Sequence, residues 1–257
     1  MILNRFGNKT KIASSLYSHF PEHKTRIDLF FGAGGLFFNT PKAKNNFVND
    51  RDDDVVNLFL LHDRIDELVF ALKKMPISTT LFNHWKHNKE IDPIKKALRF
   101  LMLSNFSYLG KGDIIRMSAG NPKKQILDNI EKTFELLDNV RFFNNDFRNI
   151  IDKISFAPGV MSKEEALVYL DPEYFQTSSN YSTKKQTIKD LKDCFALMSD
   201  CGIKAALSEF NHPKVLDLTR HHNFNLIPIG DRRVLNSRKQ EVLITNYKRS
   251  QLDLFKD

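Results

Sequence analysis

Five residues at positions 171–175, DPEYF, combine groups that could activate an amino group on an aromatic ring. Such a nitrogen is a poor nucleophile, because its lone pair is delocalised into the ring. The Asp171 carboxylate and the Pro172 carbonyl could accept its two N–H groups and favour the pyramidal form that attacks. Tyr174 could stack on the ring, a contact that contributes about 1–3 kcal/mol. The alternative is a simple turn after a strand, but a turn favours Gly, Asn or Ser where Tyr174 and Phe175 stand.

A glycine-rich segment, DLFFGAGGLFF at positions 28–38, follows a predicted strand and precedes a predicted helix. Gly32, Gly34 and Gly35 let the backbone bend tightly and approach a ligand, although such segments can also be plain turns. Asp50 ends the next predicted strand, about 20 residues on, where an acidic side chain suits two ribose hydroxyls. No Gly-Lys-Ser or Gly-Lys-Thr follows the glycines. The segment therefore favours an adenosine-type ligand without a triphosphate.

Strands and helices alternate along the chain, which predicts a parallel sheet. Because open sheets of this kind bind ligands at the carboxyl ends of their strands, the two clusters are predicted to meet there. The strands are predicted at RIDLFF (26–31), FVN (47–49), VRFF (140–143), ALVYL (166–170), IKAALS (203–208), FNLIPI (224–229) and EVLITN (241–246). A short helix is predicted over residues 11–20.

A mostly helical block interrupts the strands between residues 52 and 138. Within it, Leu58, Leu61, Ile65, Leu68 and Leu72 recur every three or four residues, the apolar stripe of an amphipathic helix. We expect one domain from residues 1–51 and 139–257, with the block as an inserted subdomain, since no Gly/Ser linker flanks it.

The 257-residue chain carries a formal net charge of +8, which favours a polyanionic partner such as nucleic acid, although an anionic membrane surface would also attract it. Its N-terminus lacks the apolar segment of a signal peptide, and no run approaches the ~18 apolar residues of a membrane span. We therefore expect a cytoplasmic protein without a membrane partner. Cys194 and Cys201 are interpreted as reduced core thiols. No metal site is expected, because other ligands are missing near the histidine pairs His84 and His87, and His221 and His222.

Five motifs in a fixed order, RFGNK, DLFFGAGG, NDRD, NNDF and DPEYF, resemble those of the Dam-like (D12 class) adenine-specific DNA methyltransferases. The resemblance implies an α/β fold with a Rossmann-like S-adenosylmethionine-dependent methyltransferase sheet and a helical DNA-recognition insertion. It also implies site-specific transfer of a methyl group from S-adenosylmethionine to N6 of an adenine flipped out of double-stranded DNA. Such a bacterial or phage-encoded enzyme is expected to be a monomer, with a cognate restriction nuclease as a possible partner.

The resemblance also assigns roles to individual residues. Around the methionine part of the cofactor it places Arg5, Phe6, Gly7, Asn8 and Lys9. Asp28, Phe30, Gly32 and Gly34 would line the cofactor, with Asp171 at its border, and Asp50 would hold the ribose. Asp146 and Phe147 would contact the cofactor's adenine, although from the residues alone Asp146 could be a helix N-cap and Phe147 a core residue. The target base would be held by Asp171, Pro172 and Tyr174.

Two basic segments are candidates for contacts to DNA phosphates. SYLGKGDIIR contains Lys111 and Arg116, and GDRRVLNSRKQ is expected to be a loop between two strands. The residues of the second segment are Arg232, Arg233, Asn236, Arg238 and Lys239. Either segment could instead be a solvated charged loop.

Glu173 stands where the family usually has a second proline. The change frees φ and restores an N–H, so the loop loses some preorganisation. This leaves two alternatives open: a DNA-binding protein with weak or no catalysis, and an adenine methyltransferase that acts on RNA or single-stranded DNA.

Overall fold

A computed structural model describes residues 2–5, 7–116, 120–175, 187–234 and 237–248, and only the backbone of residues 233, 234 and 237. Phe6 and Asn236, two of the predicted site residues, lie outside this part of the chain. None of the helices in the described residues has both the length and the apolar composition of a membrane-spanning segment.

The centre of the structure is a seven-stranded sheet in the order β3-β2-β1-β4-β5-β7-β6. The strands are β1 (Thr25–Asp28), β2 (Asn45–Asn49), β3 (Val140–Phe143), β4 (Ala166–Leu170), β5 (Lys204–Phe210), β6 (Asn225–Val234) and β7 (Ser237–Thr245). Neighbouring strands from β3 to β5 are parallel, whereas β7 is antiparallel to both β5 and β6. The expectation of a Rossmann-like α/β fold is confirmed.

The strand order reverses between β1 and β4, because the chain first builds β2 and β3 on one side of β1 and then crosses to the other. All five residues of β4 are buried, as expected for a central strand that is covered on both faces. Helices α8 (Ile188–Asp200) and α9 (Pro213–His221) follow β4 and β5. A crevice opens at the carboxyl ends of β1 and β4, where this class of sheet binds its ligands.

The expected helical block is present as six helices within the described residues, and several start at a side-chain cap. Asp52, Ser78 and Asp92 each accept a backbone N–H of the first turn that follows. The helices are α2 (Asp53–Phe59), α3 (Ile65–Lys74), α4 (Thr79–His87), α5 (Pro93–Asn105), α6 (Pro122–Leu127) and α7 (Ile130–Glu135). Their apolar faces form one cluster with Phe31 and Phe37 of the glycine-rich segment. The domain limits at residues 52 and 138 stay a prediction.

Two local expectations were wrong, and a third was right except for its bounds. The basic segment GDRRVLNSRKQ is not a loop, because β6 extends to Val234 and β7 starts at Ser237, with Arg232 opposite Lys239 in the ladder. Charged residues are compatible with this edge of the sheet because one side of the hairpin is open to solvent. The glycine-rich segment leads into a single 3-10 turn (Phe37–Asn39) instead of a helix. The predicted N-terminal helix is present but shorter than expected, as a 3-10 turn (Thr10–Ile12) followed by α1 (Ala13–Tyr17).

Candidate active site

A cavity of about 180 Å³ lies at the carboxyl ends of β1, β2 and β4. Most of the residues predicted for the cofactor and the target base line it. They are Arg5, Gly7, Asn8, Lys9, Asp28, Phe30, Gly32, Gly34, Asp50, Phe147, Asp171, Pro172 and Tyr174, and Glu173 joins them. Residues up to 169 positions apart in the chain are thus brought into one site, as expected from the placement of their motifs at strand ends.

Lys9 of the N-terminal segment and Asp171 of the DPEYF motif form an ion pair. Lys9 Nζ lies 2.5 Å from Asp171 Oδ1, and the Lys9 side chain is only 3% exposed. Burial raises the pKa of the Asp171 carboxyl above its ordinary value, and the Lys9 ammonium opposes that rise. Within the described residues, neither Asp171 Oδ2 nor the Pro172 carbonyl accepts a hydrogen bond. Asp171 and Pro172 therefore retain two acceptors for the N–H groups of a ligand.

Tyr174 is buried beside this pair. Its hydroxyl donates a hydrogen bond to Glu241 Oε1, and its ring packs edge-on against Phe210 with 4.5 Å between centroids. Lys9 Nζ lies 4.7 Å from the centre of the Tyr174 ring. These contacts fix the orientation of the ring, and stacking of a target base on it stays a prediction.

The glycine-rich turn and Asp50 form the opposite wall. Asp50 Oδ2 accepts the Gly32 N–H at 2.7 Å, and Oδ1 accepts the Asp52 N–H at 2.8 Å. Because a carboxylate has about four acceptor positions, two remain for hydroxyl groups. At Gly32, where φ is +55°, a Cβ would meet no protein atom within 4 Å. The turn is therefore open to the cavity, as a ligand cradle requires.

Packing against a neighbouring loop is close at Gly35. A Cβ there would lie 1.7 Å from Asn8 Oδ1, so any larger residue would displace the N-terminal segment. Arg5 anchors the same segment through an ion pair of 3.0 Å with Asp52. The predicted cofactor role of Arg5 and Asn8 stays a prediction, and both residues shape the wall.

Phe30 and Phe147 face each other at the edge of the cavity, with 5.0 Å between ring centroids. Asp146 caps the 3-10 turn (Phe147–Asn149) by accepting the Arg148 N–H, and the Arg148 guanidinium contacts both Asp146 oxygens at 3.0 Å. Arg148 also binds Asp190, and although desolvation opposes it, this pair and the Thr187 hydrogen bonds lower the pKa of Asp190 to about 2. Asp146 therefore does act as an N-cap, and its contact with a cofactor adenine stays a prediction.

Asp28 lies at the base of the cavity and is paired with Arg26. The guanidinium of Arg26 donates to both Asp28 oxygens at 2.9 Å, and both side chains are buried. This bidentate pair on β1 holds the strand end in place. Asp28 thus supports the wall as well as lining it.

The predicted DNA contacts lie in different surroundings. Arg232 points into the site, where its guanidinium lies 3.4 Å from Glu241 Oε2 and 3.5 Å from the Gly7 carbonyl. Arg238 is exposed on the hairpin, and Lys239 lies over the Phe210 ring. Arg116 is exposed after the loop that contains Lys111. The phosphate contacts stay predictions, but the position of Arg232 favours a role inside the site.

Two buried carboxyl groups under the DPEYF loop were missed from the sequence. Glu209 on β5 is fully buried and accepts the backbone N–H groups of Phe175 at 2.6 Å and Phe210 at 2.7 Å. Its burial raises the pKa of its side chain to about 8. Glu241 on β7 is 2% exposed and receives the Tyr174 hydroxyl. The available signal was a glutamate near a short apolar run in each of the two strands, in KAALSEF and QEVLIT.

Comparison with known proteins agrees with this geometry. A model of the D12 class N6 adenine-specific DNA methyltransferases matches residues 6–235. A DNA adenine methylase of Escherichia coli strain K12 is 24% identical over 94% of this chain and 93% of its own length. The modification methylase StsI of Streptococcus sanguinis is 24% identical over 98% of this chain and 43% of its own length. A DNA N-6-adenine-methyltransferase of Escherichia phage P1 is 22% identical over 88% of this chain and 32% of its own length.

The chain has the α/β sheet and strand-end pocket of a group-transfer enzyme, and it belongs to the D12 class N6 adenine-specific DNA methyltransferases. The resemblance of the five motifs is confirmed. The protein is an enzyme that transfers a methyl group from a donor to N6 of adenine in DNA.

Proposed function

We propose that this cavity binds S-adenosylmethionine and methylates the N6 amine of an adenine flipped out of duplex DNA. The observation that carries the proposal is the arrangement of Asp171 and Pro172 at the end of β4. One Asp171 oxygen is held by buried Lys9, while Oδ2 and the Pro172 carbonyl keep their acceptor capacity within the described structure.

The residues of the cavity fit the cofactor. Asp50 retains acceptor positions for two ribose hydroxyls, and the open turn at Gly32 admits a ligand next to the backbone. Phe30 and Phe147 offer apolar faces for the adenine, while the carboxylates of the cavity suit a cationic sulfur. When bound, S-adenosylmethionine supplies a methyl group on a positively charged sulfur, which makes that carbon electrophilic.

Asp171 and Pro172 perform the activation of the target nitrogen. With one N–H on Asp171 Oδ2 and the other on the Pro172 carbonyl, the nitrogen lone pair is turned away from conjugation with the ring. The nitrogen gives up one proton when its methylated product forms, and we assign the acceptor of that proton to Asp171 Oδ2. Tyr174 provides the ring surface for the extruded base, which helps to offset the unstacking cost of a few kcal/mol.

Duplex DNA is the proposed substrate, bound through the basic hairpin β6–β7 and the loop that contains Lys111 and Arg116. A modification methylase among the relatives supports a protective role against a cognate restriction nuclease. We propose that the chain acts as a monomer.

The proposal is tested by incubating the protein with S-adenosylmethionine labelled on the methyl group and three matched substrates of one sequence: duplex DNA, single-stranded DNA and RNA. Digestion to nucleosides and chromatography should recover the label as N6-methyladenine, with the duplex as the preferred substrate. Preference for RNA or for the single strand would refute the duplex assignment. DNA binding without any transfer would support a catalytically weak protein, in which Glu173 has displaced the usual proline.

A further inference from the structure

The buried carboxylate of Glu241 contacts three side chains of the site, those of Tyr174, Lys9 and Arg232. Its Oε1 accepts the Tyr174 hydroxyl and lies 3.6 Å from Lys9 Nζ, and its Oε2 lies 3.4 Å from Arg232 Nη1. Glu241 is not among the described residues that line the cavity, so it does not contact a ligand there directly. It therefore acts on the site only through its neighbours.

Lys9 lies between the carboxylates of Asp171 and Glu241, so Glu241 can influence the ion pair between Lys9 and Asp171. Lys9 Nζ is 2.5 Å from Asp171 and 3.6 Å from Glu241, so a second anion shares the ammonium without removing it from Asp171. Glu241 also pairs with the other nearby cation, Arg232, whose charge acts on Asp171 as well. Lys9 therefore stays paired with Asp171 Oδ1, while Arg232, the second cation, is paired with Glu241.

The same carboxylate fixes the aromatic ring of the pocket. A buried tyrosine hydroxyl needs a partner, and Glu241 provides it from β7, 67 positions away in the chain. Since β7 also carries exposed Arg238, one strand joins the predicted DNA-contacting hairpin to the ring on which the base would stack.

We propose that Glu241 is a positioning residue for methyl transfer: it orients Tyr174 and keeps Lys9 and Arg232 placed so that Asp171 Oδ2 faces the target amine. This inference rests on the proposed function. A displacement of about 1 Å among reacting groups can slow an enzyme by roughly 100-fold, so loss of this support should be visible in kcat.

The test uses Glu241→Gln, which preserves the shape and one acceptor for Tyr174 but removes the charge. We expect kcat on duplex DNA to fall by about 10- to 100-fold, with the KM for S-adenosylmethionine and the affinity for S-adenosylhomocysteine changed less than about twofold. The acidic limb of the kcat profile, which reports ionisation of Asp171, should move to lower pH. The Glu241 charge raises the pKa of Asp171, so its removal lowers that pKa. The ionisable groups around Asp171 in the described residues include Lys9, Arg232, Glu241, Glu209, Tyr169, Tyr174 and neighbouring Glu173.

Glu165→Gln is the matched control, because Glu165 lies on the surface before β4 and pairs with exposed Lys24. It should leave kcat and the acidic limb unchanged. Glu241→Asp keeps the charge but withdraws it from Tyr174, so it should lower kcat without moving the acidic limb of the kcat profile. This variant replaces Glu241→Gln if Glu241→Gln does not fold.

Three outcomes would overturn the role of Glu241: a wild-type kcat in Glu241→Gln, a loss of cofactor affinity equal to the loss in kcat, or an unmoved limb in Glu241→Gln. If Glu241→Gln does not fold, a wild-type kcat in Glu241→Asp overturns it equally. Absence of methylation by the wild-type protein would instead contradict the proposed function and remove the inference with it.

Discussion

Asp50 shows how one side chain can serve both the fold and a ligand. Its carboxylate accepts the backbone N–H groups of Gly32 and Asp52, and burial raises its pKa above the ordinary value. The fixed carboxylate keeps acceptor positions turned to the cavity. A conservative substitution of Asp50 therefore tests the binding of the cofactor without changing the residues proposed to hold the target base.

For Asp50→Asn we predict an affinity for S-adenosylhomocysteine lower by about 10-fold or more, which corresponds to roughly 1.4 kcal/mol. The amide has one acceptor oxygen where the structure uses two, so one N–H loses its partner and the ribose loses acceptor positions. Isothermal titration calorimetry measures the change. Asp138→Asn, on the surface beside His62, is the control. Equal affinity in the two variants would show that Asp50 does not hold the cofactor.

The same carboxyl group predicts a pH dependence. Because Asp50 is expected to bind hydroxyls as the carboxylate, S-adenosylhomocysteine affinity of the wild-type protein should decline as the pH falls through its raised pKa. The decline should be absent in Asp50→Asn. Identical profiles for the two proteins would contradict the assignment.

At the scale of the elements, hairpin β6–β7 has two different faces. Arg232 points toward Glu241 and the N-terminal segment, whereas Arg238 is exposed. The internal arginine is expected to affect turnover, and the exposed one to affect DNA binding. The segment predicted as a basic loop is instead a pair of strands. Its basic residues lie on two faces, because alternate residues of a strand point to opposite faces.

For Arg238→Gln we predict weaker DNA binding and a smaller salt dependence. Each lost phosphate contact should reduce the slope of log K against log salt concentration by about 0.9. Fluorescence anisotropy with a labelled duplex at several salt concentrations measures the slope. Arg220→Gln, on α9 outside the segments proposed to bind DNA and paired with exposed Asp217, serves as a control. If both variants keep the wild-type slope, Arg238 does not contact a phosphate.

The elements also show which parts of the site could be read from the sequence. Strands β3 and β4 were predicted with their observed bounds, and the DPEYF and glycine motifs were correctly placed at strand ends. Glu209 and Glu241 were missed, because their partners Phe175 and Tyr174 lie in the DPEYF loop, which only the folded sheet brings next to β5 and β7. The direction of Arg232 likewise depends on its register against Lys239, which hydrophobic pattern alone does not specify.

At the scale of the whole molecule, buried Glu209 links the site to stability. Its pKa is raised to about 8 by burial, well above the value of an unfolded glutamate. Between these two values the folded state holds a proton that the unfolded state has lost. The stability that protonated Glu209 contributes is therefore fully present at low pH and is lost as the pH rises toward about 8. The free energy of unfolding falls over this range with a slope of up to about 1.4 kcal/mol per pH unit.

For Glu209→Gln we predict a flatter decline in the free energy of unfolding between about pH 5 and 8, since the titrating group is gone. The variant should be less stable overall, because an amide cannot accept both the Phe175 and the Phe210 N–H groups. Urea unfolding at a series of pH values measures both effects, with Glu165→Gln as the control. A slope as steep as that of the wild-type protein would show that Glu209 does not titrate in this range.

The central claim concerns the whole arrangement, in which the ends of β1, β2 and β4 bring a methyl donor to an amine held by Asp171. Single-turnover methylation of unmethylated duplex DNA by the wild-type protein, Asp171→Ala and Glu173→Pro tests it most directly, with far-UV circular dichroism as the check on folding. We predict a loss of about 100- to 1000-fold for Asp171→Ala, the range for removing one stabilising group from an active site. Glu173→Pro, which restores the family's residue, should retain transfer. An unchanged rate in Asp171→Ala would contradict the account.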